Sequence, residues 1–359
     1  MKRQRRGVIW FIGLGLGLAL LLTVGDGAKT VTPAVAQQPL QKFRMILWGP
    51  RIPEGAWAFL AEDQGLFREE GLDVEVIPAA GGGGEALKML LGGAGEIAFV
   101  NPEALWFAVA EGAKLKSVYS IIPNSIFEVI SFPEKNLKSV ADLKGKKIGV
   151  LSRGSGTYYS LLTLLQLHGM TERDVEIVAT GLDQANPLIR GQVDATSTYE
   201  AHTIDMERRL LPAVGKSSAL NKIRAKDFVN SDTDLFVAYE ETYKKNRDAI
   251  RRFLTAFRKG QQRTIENPQA GAAAAKKLAR GATDDARTLE MTQWVARIWQ
   301  DEGTRRYGLG WQKLDVLQKQ VDVYQQAGLI RTRVDVGSVV TNEMVEELNR
   351  ANVPGGPAR

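Results

Sequence analysis

Short apolar runs and amphipathic stretches alternate along the chain from Lys42 onward. The run "FRMILWG" (residues 43–49) predicts a strand, and "EGAWAFLAEDQGLFREEG" (residues 54–71) predicts a helix closed by glycine. The segment "LDVEVIP" alternates apolar and polar residues with a period of two, which is typical of a strand. A helix, "EALKMLLGG", and a third strand, "EIAFV", follow it. This alternation of strand and helix predicts a parallel sheet with helices on its faces.

A second α/β series begins after the polar stretch "PEKNLKSVADLKGKK". Its predicted strands are "KIGVLS", "VEIVAT" and "VDATSTY", and its predicted helices are "TYYSLLTLLQLHG" and "QANPLIRG". A chain of 359 residues is longer than one hydrophobic core usually serves. We therefore predict two α/β lobes, with residues 42–131 and 233–350 (including the C-terminal helices) in lobe 1 and residues 132–232 in lobe 2. The chain would cross between the lobes near residues 132 and 232.

The first 36 residues have the features of a secretory signal. A basic start, "MKRQRR", precedes an apolar stretch at residues 8–24, and Ala34-Val35-Ala36 offers a cleavage site. We predict cleavage after Ala36 and a periplasmic location. Because the apolar stretch is long, an uncleaved membrane anchor is the alternative. The choice between the general and the twin-arginine export route stays open.

Composition excludes several kinds of site. The chain has no cysteine, which excludes thiolate metal sites, a cysteine nucleophile and a lipid-modified N-terminal cysteine. The formal net charge is +6, and most of it falls within the first 36 residues. The rest of the chain therefore lacks the excess of positive charge that is typical of a nucleic-acid-binding protein. No paired-acid spacing marks a catalytic centre and no ligand spacing marks a metal site. We therefore expect no catalytic residue, no metal and no cofactor.

Four phrases of the chain occur in the order typical of one transport family: "GLFREEGLDVEVIPAAGGGGEALKMLLGGAGEIAFVNPEAL", "LKSVADLKGKKIGV", "GLDQANPLIRGQVDATSTYE" and "AIRRFLTAFRKGQQRTIENPQAGA". From about residue 43 to about residue 277 the chain resembles the substrate-binding proteins of ABC importers in the nitrate, sulfonate, taurine and thiamine-precursor family. The resemblance implies an α/β, two-lobed periplasmic-binding-protein fold of the second type, with the ligand in the cleft between lobes that close by hinge bending. It also implies a monomer that delivers its solute to an ABC permease and its ATPase.

The loops that follow the strands of lobe 1 are the first candidates for a site, because ligands of open α/β sheets lie beyond the carboxyl ends of the strands. Trp48 and Trp57 are candidates for stacking on a planar ligand, and Arg51 for pairing with a carboxylate or sulfonate. The alternative for these residues is a packed tryptophan and a solvated arginine. Asn101 begins a helix just past the third strand, where free amides suit an anion, although it could serve only as a helix cap.

The loop "AAGGGG" lacks the Gly-Lys-Ser/Thr ending of a phosphate-binding loop. Glycines still let the backbone approach a ligand closely and let amide groups converge on an oxygen atom. We take Gly82, Gly83 and Glu85 as candidate ligand contacts, with a flexible turn between strand and helix as the alternative.

In lobe 2 the phrase "SRGSGTYYSLL" leads from a strand into a helix, where amides and hydroxyls can form an anion nest. The candidates in this phrase are Arg153, Gly154, Ser155, Gly156, Thr157 and Tyr158. The loops after the next two strands add Asp183, Tyr199 and Glu200. His202 lies beside them, without the neighbouring ligands that a metal site would need.

These observations predict a solute receptor of an ABC importer and not an enzyme. Arg51 and Arg153 favour an anion, so we expect a sulfonate, taurine, a nitrate-like anion or an aromatic carboxylate. The aromatic residues favour a body larger than nitrate, so an organic sulfonate or an aromatic carboxylate is preferred among these. A thiamine-pyrimidine precursor is the alternative ligand. An enzyme of the same fold stays open, although the fungal pyrimidine synthase of this fold carries a cysteine-rich motif that this chain lacks. A periplasmic sensor module also stays open.

Overall fold

A computed structural model describes residues 39–216 and 219–351 of the chain. The predicted signal, residues 1–36, lies outside the described residues. None of the helices in the described ranges has the length and hydropathy of a membrane-spanning segment.

The elements follow the predicted alternation of strand and helix. The strands are β1 Gln41–Leu47, β2 Leu72–Pro78, β3 Ile97–Val100, β4 Leu115–Ile122, β5 Phe127–Ser131, β6 Lys147–Val150, β7 Glu176–Ala179, β8 Ala195–Tyr199, β9 Asn221–Arg224 and β10 Asp234–Tyr239. The α-helices are α1 Phe59–Asp63, α2 Leu66–Glu69, α3 Gly83–Leu91, α4 Pro102–Ala110, α5 Gly156–Leu167, α6 Ala185–Ile189, α7 Glu200–Asp205, α8 Leu211–Ala213, α9 Glu240–Lys245, α10 Arg247–Glu266, α11 Pro268–Leu278, α12 Asp285–Ile298, α13 Glu302–Tyr307, α14 Leu314–Gln326, α15 Val336–Val339 and α16 Glu343–Ala351.

One predicted helix is divided. The sequence pattern favours a single helix over residues 54–71, but the structure has α1 and α2 there, with residues 54–58 in a loop. Gly65 separates the two helices in a left-handed conformation, with φ at 70°.

The strands form two five-stranded mixed sheets. In the first sheet the order is β2-β1-β3-β10-β4, with β1 parallel to β2 and β3, and β10 antiparallel to β3 and β4. In the second sheet the order is β7-β6-β8-β5-β9, with β6 parallel to β7 and β8, and β5 antiparallel to β8 and β9. Two α/β lobes are the architecture that the sequence predicts, but the prediction of purely parallel sheets is wrong, because β10 and β5 enter the sheets antiparallel to their neighbours.

The first crossing between the lobes differs from the prediction. β5 was expected in lobe 1, but it pairs with β8 and β9 in the second sheet, so the chain crosses at residues 123–126 and not near residue 132. Val129 and Ile130 of β5 are buried in cores of the second lobe. The return crossing lies between β9 and β10, at residues 225–233.

Aromatic packing holds the C-terminal helices on the first sheet, and one helix joins both lobes. Phe253 of α10 stacks on Phe43 of β1 with ring centroids 4.9 Å apart. Helix α14 contacts lobe 1, where Trp106 donates from Nε1 to Gln320 Oε1 at 3.0 Å. It also contacts lobe 2, where the hydroxyls of Tyr324 and Thr163 form a hydrogen bond. The lobes are therefore joined by α14 as well as by the two crossings.

Candidate functional site

A cavity lies between the two sheets, beyond the carboxyl ends of β1, β3, β4, β6 and β8 and the first residues of β5 and β10. It encloses about 710 Å³ of empty space, which includes its open mouth. Its lining residues are Trp48, Glu54, Gly55, Ala56, Gly82, Gly83, Asn101, Ile122, Asp234 from lobe 1 and Ile126, Phe127, Leu151, Ser155, Gly156, Thr157, Leu182, Gln184, Tyr199, His202 from the crossing and lobe 2. An apolar and aromatic wall with a few polar groups is typical of a small-molecule site.

The glycine run forms a contact between the lobes beside this cavity. The Gly84 amide donates to the carbonyl oxygen of Gly154 at 3.1 Å, and Ser152 Oγ donates to the carbonyl oxygen of Gly81 at 2.7 Å. A Cβ atom at Gly84 would lie 2.5 Å from that Gly154 oxygen. Only a residue without a side chain lets the two backbones meet this closely. We call residues 81–84 and 152–155 together the glycine seam.

Half of the candidate residues from the sequence line the cavity: Trp48, Gly82, Gly83, Asn101, Ser155, Gly156, Thr157 and Tyr199. They come from both lobes, at the starts of α3, α4 and α5 and at the ends of β1 and β8. Asn101 does not cap its helix through its side chain, which donates instead to Glu103 Oε2 at 3.0 Å. Gly83 of α3 and Gly156 and Thr157 of α5 place first-turn amides at the cavity, which suits a hydrogen-bond acceptor on a ligand. Helix α4 begins with Pro102, which has no N–H, and the Gly84 amide is already used in the glycine seam.

The candidates of the first loop separate into one that lines the cavity and two that do not. Trp57 is buried in the lobe 1 core, with its ring 5.9 Å from that of Phe67. Arg51 donates to Glu62 Oε2 at 2.6 Å, and its guanidinium lies 5.6 Å from the centre of the Phe59 ring. Trp57 takes the alternative that the sequence left open, a packed tryptophan. Arg51 matches neither expectation, because it is an ion-paired, half-buried side chain and not a solvated one.

Arg153, Gly154 and Tyr158 also lie outside the cavity lining. Arg153 forms an ion pair with Glu172 on the exposed side of lobe 2, and Tyr158 OH donates to the same carboxylate at 2.8 Å. Gly154 uses its carbonyl oxygen in the glycine seam. Of the predicted anion nest, Ser155, Gly156 and Thr157 therefore line the cavity, but the positively charged Arg153 does not.

The remaining three candidates are carboxylates that hold local structure. Glu85 Oε2 accepts from the Ala80 amide at 3.1 Å, and Asp183 Oδ1 accepts from the Asn186 amide at 3.2 Å. Glu200 Oε2 accepts from Trp294 Nε1 at 3.0 Å, a contact that joins α7 of lobe 2 to α12. None of the three belongs to the cavity lining.

Glu54 lines the cavity, and sequence reasoning did not find it. Its Oε1 atom accepts from Arg287 Nη2 at 3.0 Å, and Arg287 Nε donates to Asp205 Oδ1 at 2.9 Å. The Glu54 side chain is 10% exposed, and its Oε2 atom is buried without a hydrogen-bond partner. An unpartnered buried oxygen is costly, so this atom is free to accept a hydrogen bond from a ligand. Nothing local in the sequence connects Glu54 to Arg287.

Asp234 is a second acidic residue at the cavity wall that the sequence did not indicate. Burial, and then the nearby Glu103 carboxyl, raise the pKa of Asp234 well above its usual range. Burial also raises the pKa of Glu103 to about 7, against the hydrogen bonds from Asn101 and Gln320. Desolvation disfavours the charged form of both groups, so this side of the cavity favours uncharged carboxyl groups.

The lining contains no basic side chain other than a histidine. Among the described residues that form the cavity wall, none is Arg or Lys. The described residues also contain no group of three or more His, Cys, Asp or Glu that could hold a metal ion. The expectation of an anion depended on Arg51 and Arg153, and their ion pairs with Glu62 and Glu172 remove that support.

The two sheets, the cleft between them and its apolar wall define the periplasmic-binding-protein class of fold. Residues 53–271, more than half of the chain, match the family described as NMT1/THI5 like, and the chain belongs to that family. The alkanesulfonate-binding protein SsuA from Xanthomonas axonopodis pv. citri, solved with MOPS bound, has the same fold. Its TM-score is 0.62 at 17% identity, over 86% of this chain and 99% of that protein.

Two relatives extend the comparison and differ in their named activities. The riboflavin-binding protein RibY of Chloroflexus aurantiacus is 25% identical over 354 residues, 92% of this chain and 96% of that protein. A 4-amino-5-hydroxymethyl-2-methylpyrimidine phosphate synthase of Saccharomyces cerevisiae is 25% identical over 231 residues, 62% of this chain and 67% of that protein. The family resemblance noted in the sequence is confirmed, and the relatives of the chain include one named as a binding protein and one named as a synthase.

Proposed function

We propose that this protein is the periplasmic solute-binding subunit of an ABC importer, and that it holds a flat, uncharged heteroaromatic solute between its lobes. The observation that carries the proposal is the cavity wall, where Trp48, Phe127 and Tyr199 supply aromatic surface and the lining residues within the described ranges include no Arg or Lys. Aromatic side chains favour planar ligands. An organic anion would have to balance its charge with amides and hydroxyls alone.

The polar groups of the cavity fit such a solute. The amides at the starts of α3 and α5 offer donors for a ring nitrogen or carbonyl oxygen. Glu54 Oε2 offers an acceptor for an N–H or O–H group. The riboflavin named for one relative and the aminopyrimidine named for another are both flat heteroaromatic molecules with donors and acceptors. A pyrimidine or flavin thus fits these groups better than the sulfonate expected from the sequence.

Binding without reaction is supported by how the cavity hydroxyls are used. Ser155 Oγ donates to the carbonyl oxygen of Ser152 at 2.7 Å, and it lies 2.8 Å from Thr157 Oγ1. Nδ1 of His202 is bonded to Thr198 and to neither hydroxyl. Nucleophilic catalysis needs a hydroxyl paired with its base, whereas the Ser155 and Thr157 hydroxyls bond to each other and to backbone groups.

A panel of ligand classes tests the proposal. We expect riboflavin or 4-amino-5-hydroxymethyl-2-methylpyrimidine to raise the melting temperature of the purified protein, because a ligand that binds only the folded state stabilises it. Taurine, an alkanesulfonate and nitrate serve as charged comparison ligands. Calorimetry should give one ligand per chain, and mass spectrometry should recover it unchanged. Stabilisation by the sulfonates alone would contradict the proposed ligand class, and a chemically altered solute would indicate an enzyme.

A further inference from the structure

A chain of hydrogen bonds runs from the second sheet to the wall of the cavity. Gln184 Nε2 donates to the carbonyl oxygen of Ser197 at 3.0 Å, and Thr198 Oγ1 donates to Gln184 Oε1 at 2.9 Å. Nδ1 of His202 lies 2.9 Å from the same Thr198 oxygen. Gln184 and Thr198 are buried, so each of these polar atoms depends on its protein partner.

This chain of bonds determines which nitrogen of His202 carries the proton. The Ser197 carbonyl only accepts, so Gln184 presents Nε2 to it and Oε1 to Thr198. Thr198 has a single hydroxyl proton, which it donates to Gln184, so its oxygen must accept from His202. Nδ1 of His202 therefore carries a proton. In a neutral ring Nε2 is then a hydrogen-bond acceptor.

The surroundings of His202 keep its ring neutral. Burial lowers the pKa of His202 to about 4, and the Arg287 charge acts in the same direction, while Asp205 and Asp183 act against it. The ring lines the cavity, 5.9 Å from the Tyr199 ring. Among the described residues, Thr198 is the hydrogen-bond partner of this imidazole, and it uses Nδ1. Nε2 remains available to a ligand.

We infer that His202 selects solutes that carry an N–H or O–H donor, which its Nε2 atom accepts, and that Thr198 and Gln184 are positioning residues for this acceptor. The inference rests on the proposed function, because it needs a solute in the cleft. The free Oε2 atom of Glu54 is a second acceptor in the same lining. The two acceptors match the amino or imide groups of a heteroaromatic solute better than the oxygens of a sulfonate.

The tautomer of His202 can be measured without any ligand. The chain contains two histidines, so long-range 1H–15N spectra of the purified protein give two imidazole patterns, and His202→Gln identifies one of them. We expect a neutral ring protonated on Nδ1 near neutral pH. Thr198→Val should abolish this preference, whereas Thr198→Ser, which keeps the hydroxyl, should preserve it. A wild-type ring protonated on Nε2 would overturn the inference, whatever the solute.

Pairs of solutes that differ by one N–H donor measure the selectivity that we assign to His202. Riboflavin carries an N3–H donor that 3-methylriboflavin lacks, so His202→Phe should weaken riboflavin binding about 10-fold and 3-methylriboflavin binding less than about twofold by calorimetry. Equal losses for the two probes would overturn the inference and leave the proposed function intact. If riboflavin does not bind, 4-amino-5-hydroxymethyl-2-methylpyrimidine and its dimethylamino analogue form the second pair. Failure of both parent probes to bind the wild-type protein would overturn the proposed ligand class, and the inference with it.

Discussion

Gly84→Ala is expected to weaken solute binding about 10- to 100-fold while leaving both lobes folded. The new Cβ atom would lie 2.5 Å from the carbonyl oxygen of Gly154, across the glycine seam. Relieving such an overlap costs about 1–3 kcal/mol, and here the relief available is separation of the lobes. A solute that needs both lobes then binds with an affinity reduced by the fraction of closed molecules. Calorimetry gives the affinity, and small-angle scattering gives the separation.

Gly154→Ala is the matched control for this change. It adds the same methyl group on the other side of the seam, where the new Cβ atom would lie 3.9 Å from the Gly84 Cα atom, an ordinary contact. Its affinity should remain within about threefold of the wild-type value, because no overlap has to be relieved. If both variants bind the solute equally well, the seam does not control closure.

The two tryptophans of the first loop should have opposite phenotypes. Trp57→Ala is expected to reduce the free energy of unfolding by about 3–5 kcal/mol, because Trp57 is buried against Phe67 and Phe257. Trp48→Ala should instead reduce mainly solute affinity, because Trp48 lies at the cavity wall and is only partly buried. Urea unfolding and calorimetry on the same preparations separate the two effects.

Trp57→Phe tests whether volume explains the stability effect. It keeps an aromatic ring in the cluster but removes the Nε1 donor to Glu62, which lies 3.3 Å away. We expect it to recover more than half of the stability lost in Trp57→Ala. A Trp48→Ala variant as unstable as Trp57→Ala, with unchanged solute affinity, would show that Trp48 is a packing residue and not a ligand contact.

The two α/β series could be predicted because strand and helix periodicity are local properties of the sequence. The lobe of β5 could not, because its pairing with β8 and β9 joins residues that are distant in sequence. Because β5 is an apolar run that closely follows β4, the sequence pattern predicts that it pairs in the same sheet as β4. In the structure the chain passes to the other lobe within residues 123–126.

Several of the loops that line the cavity were also predicted, since they follow the carboxyl ends of strands. The directions of the charged side chains were not. Arg51 forms an ion pair with Glu62, and Arg153 forms one with Glu172. The loop sequences do not indicate either partner. The glycines were expected to bring amides toward a ligand; Gly82 and Gly83 do line the cavity, while Gly84 approaches the opposite lobe. The close backbone approach seen in the structure is between Gly84 and Gly154 of the opposite lobe, and contact of Gly82 and Gly83 with a ligand stays a prediction.

A crystal structure of the protein with the panel solute that binds most tightly would show directly where and how that solute is held. We expect an intact, flat molecule between the starts of α3 and α5, beside Trp48 and Tyr199, with a donor group on His202 Nε2 or Glu54 Oε2. We expect no Arg or Lys within hydrogen-bond distance of that molecule. A solute bound by Arg51 or Arg153, or bound outside the cleft, would contradict this expectation.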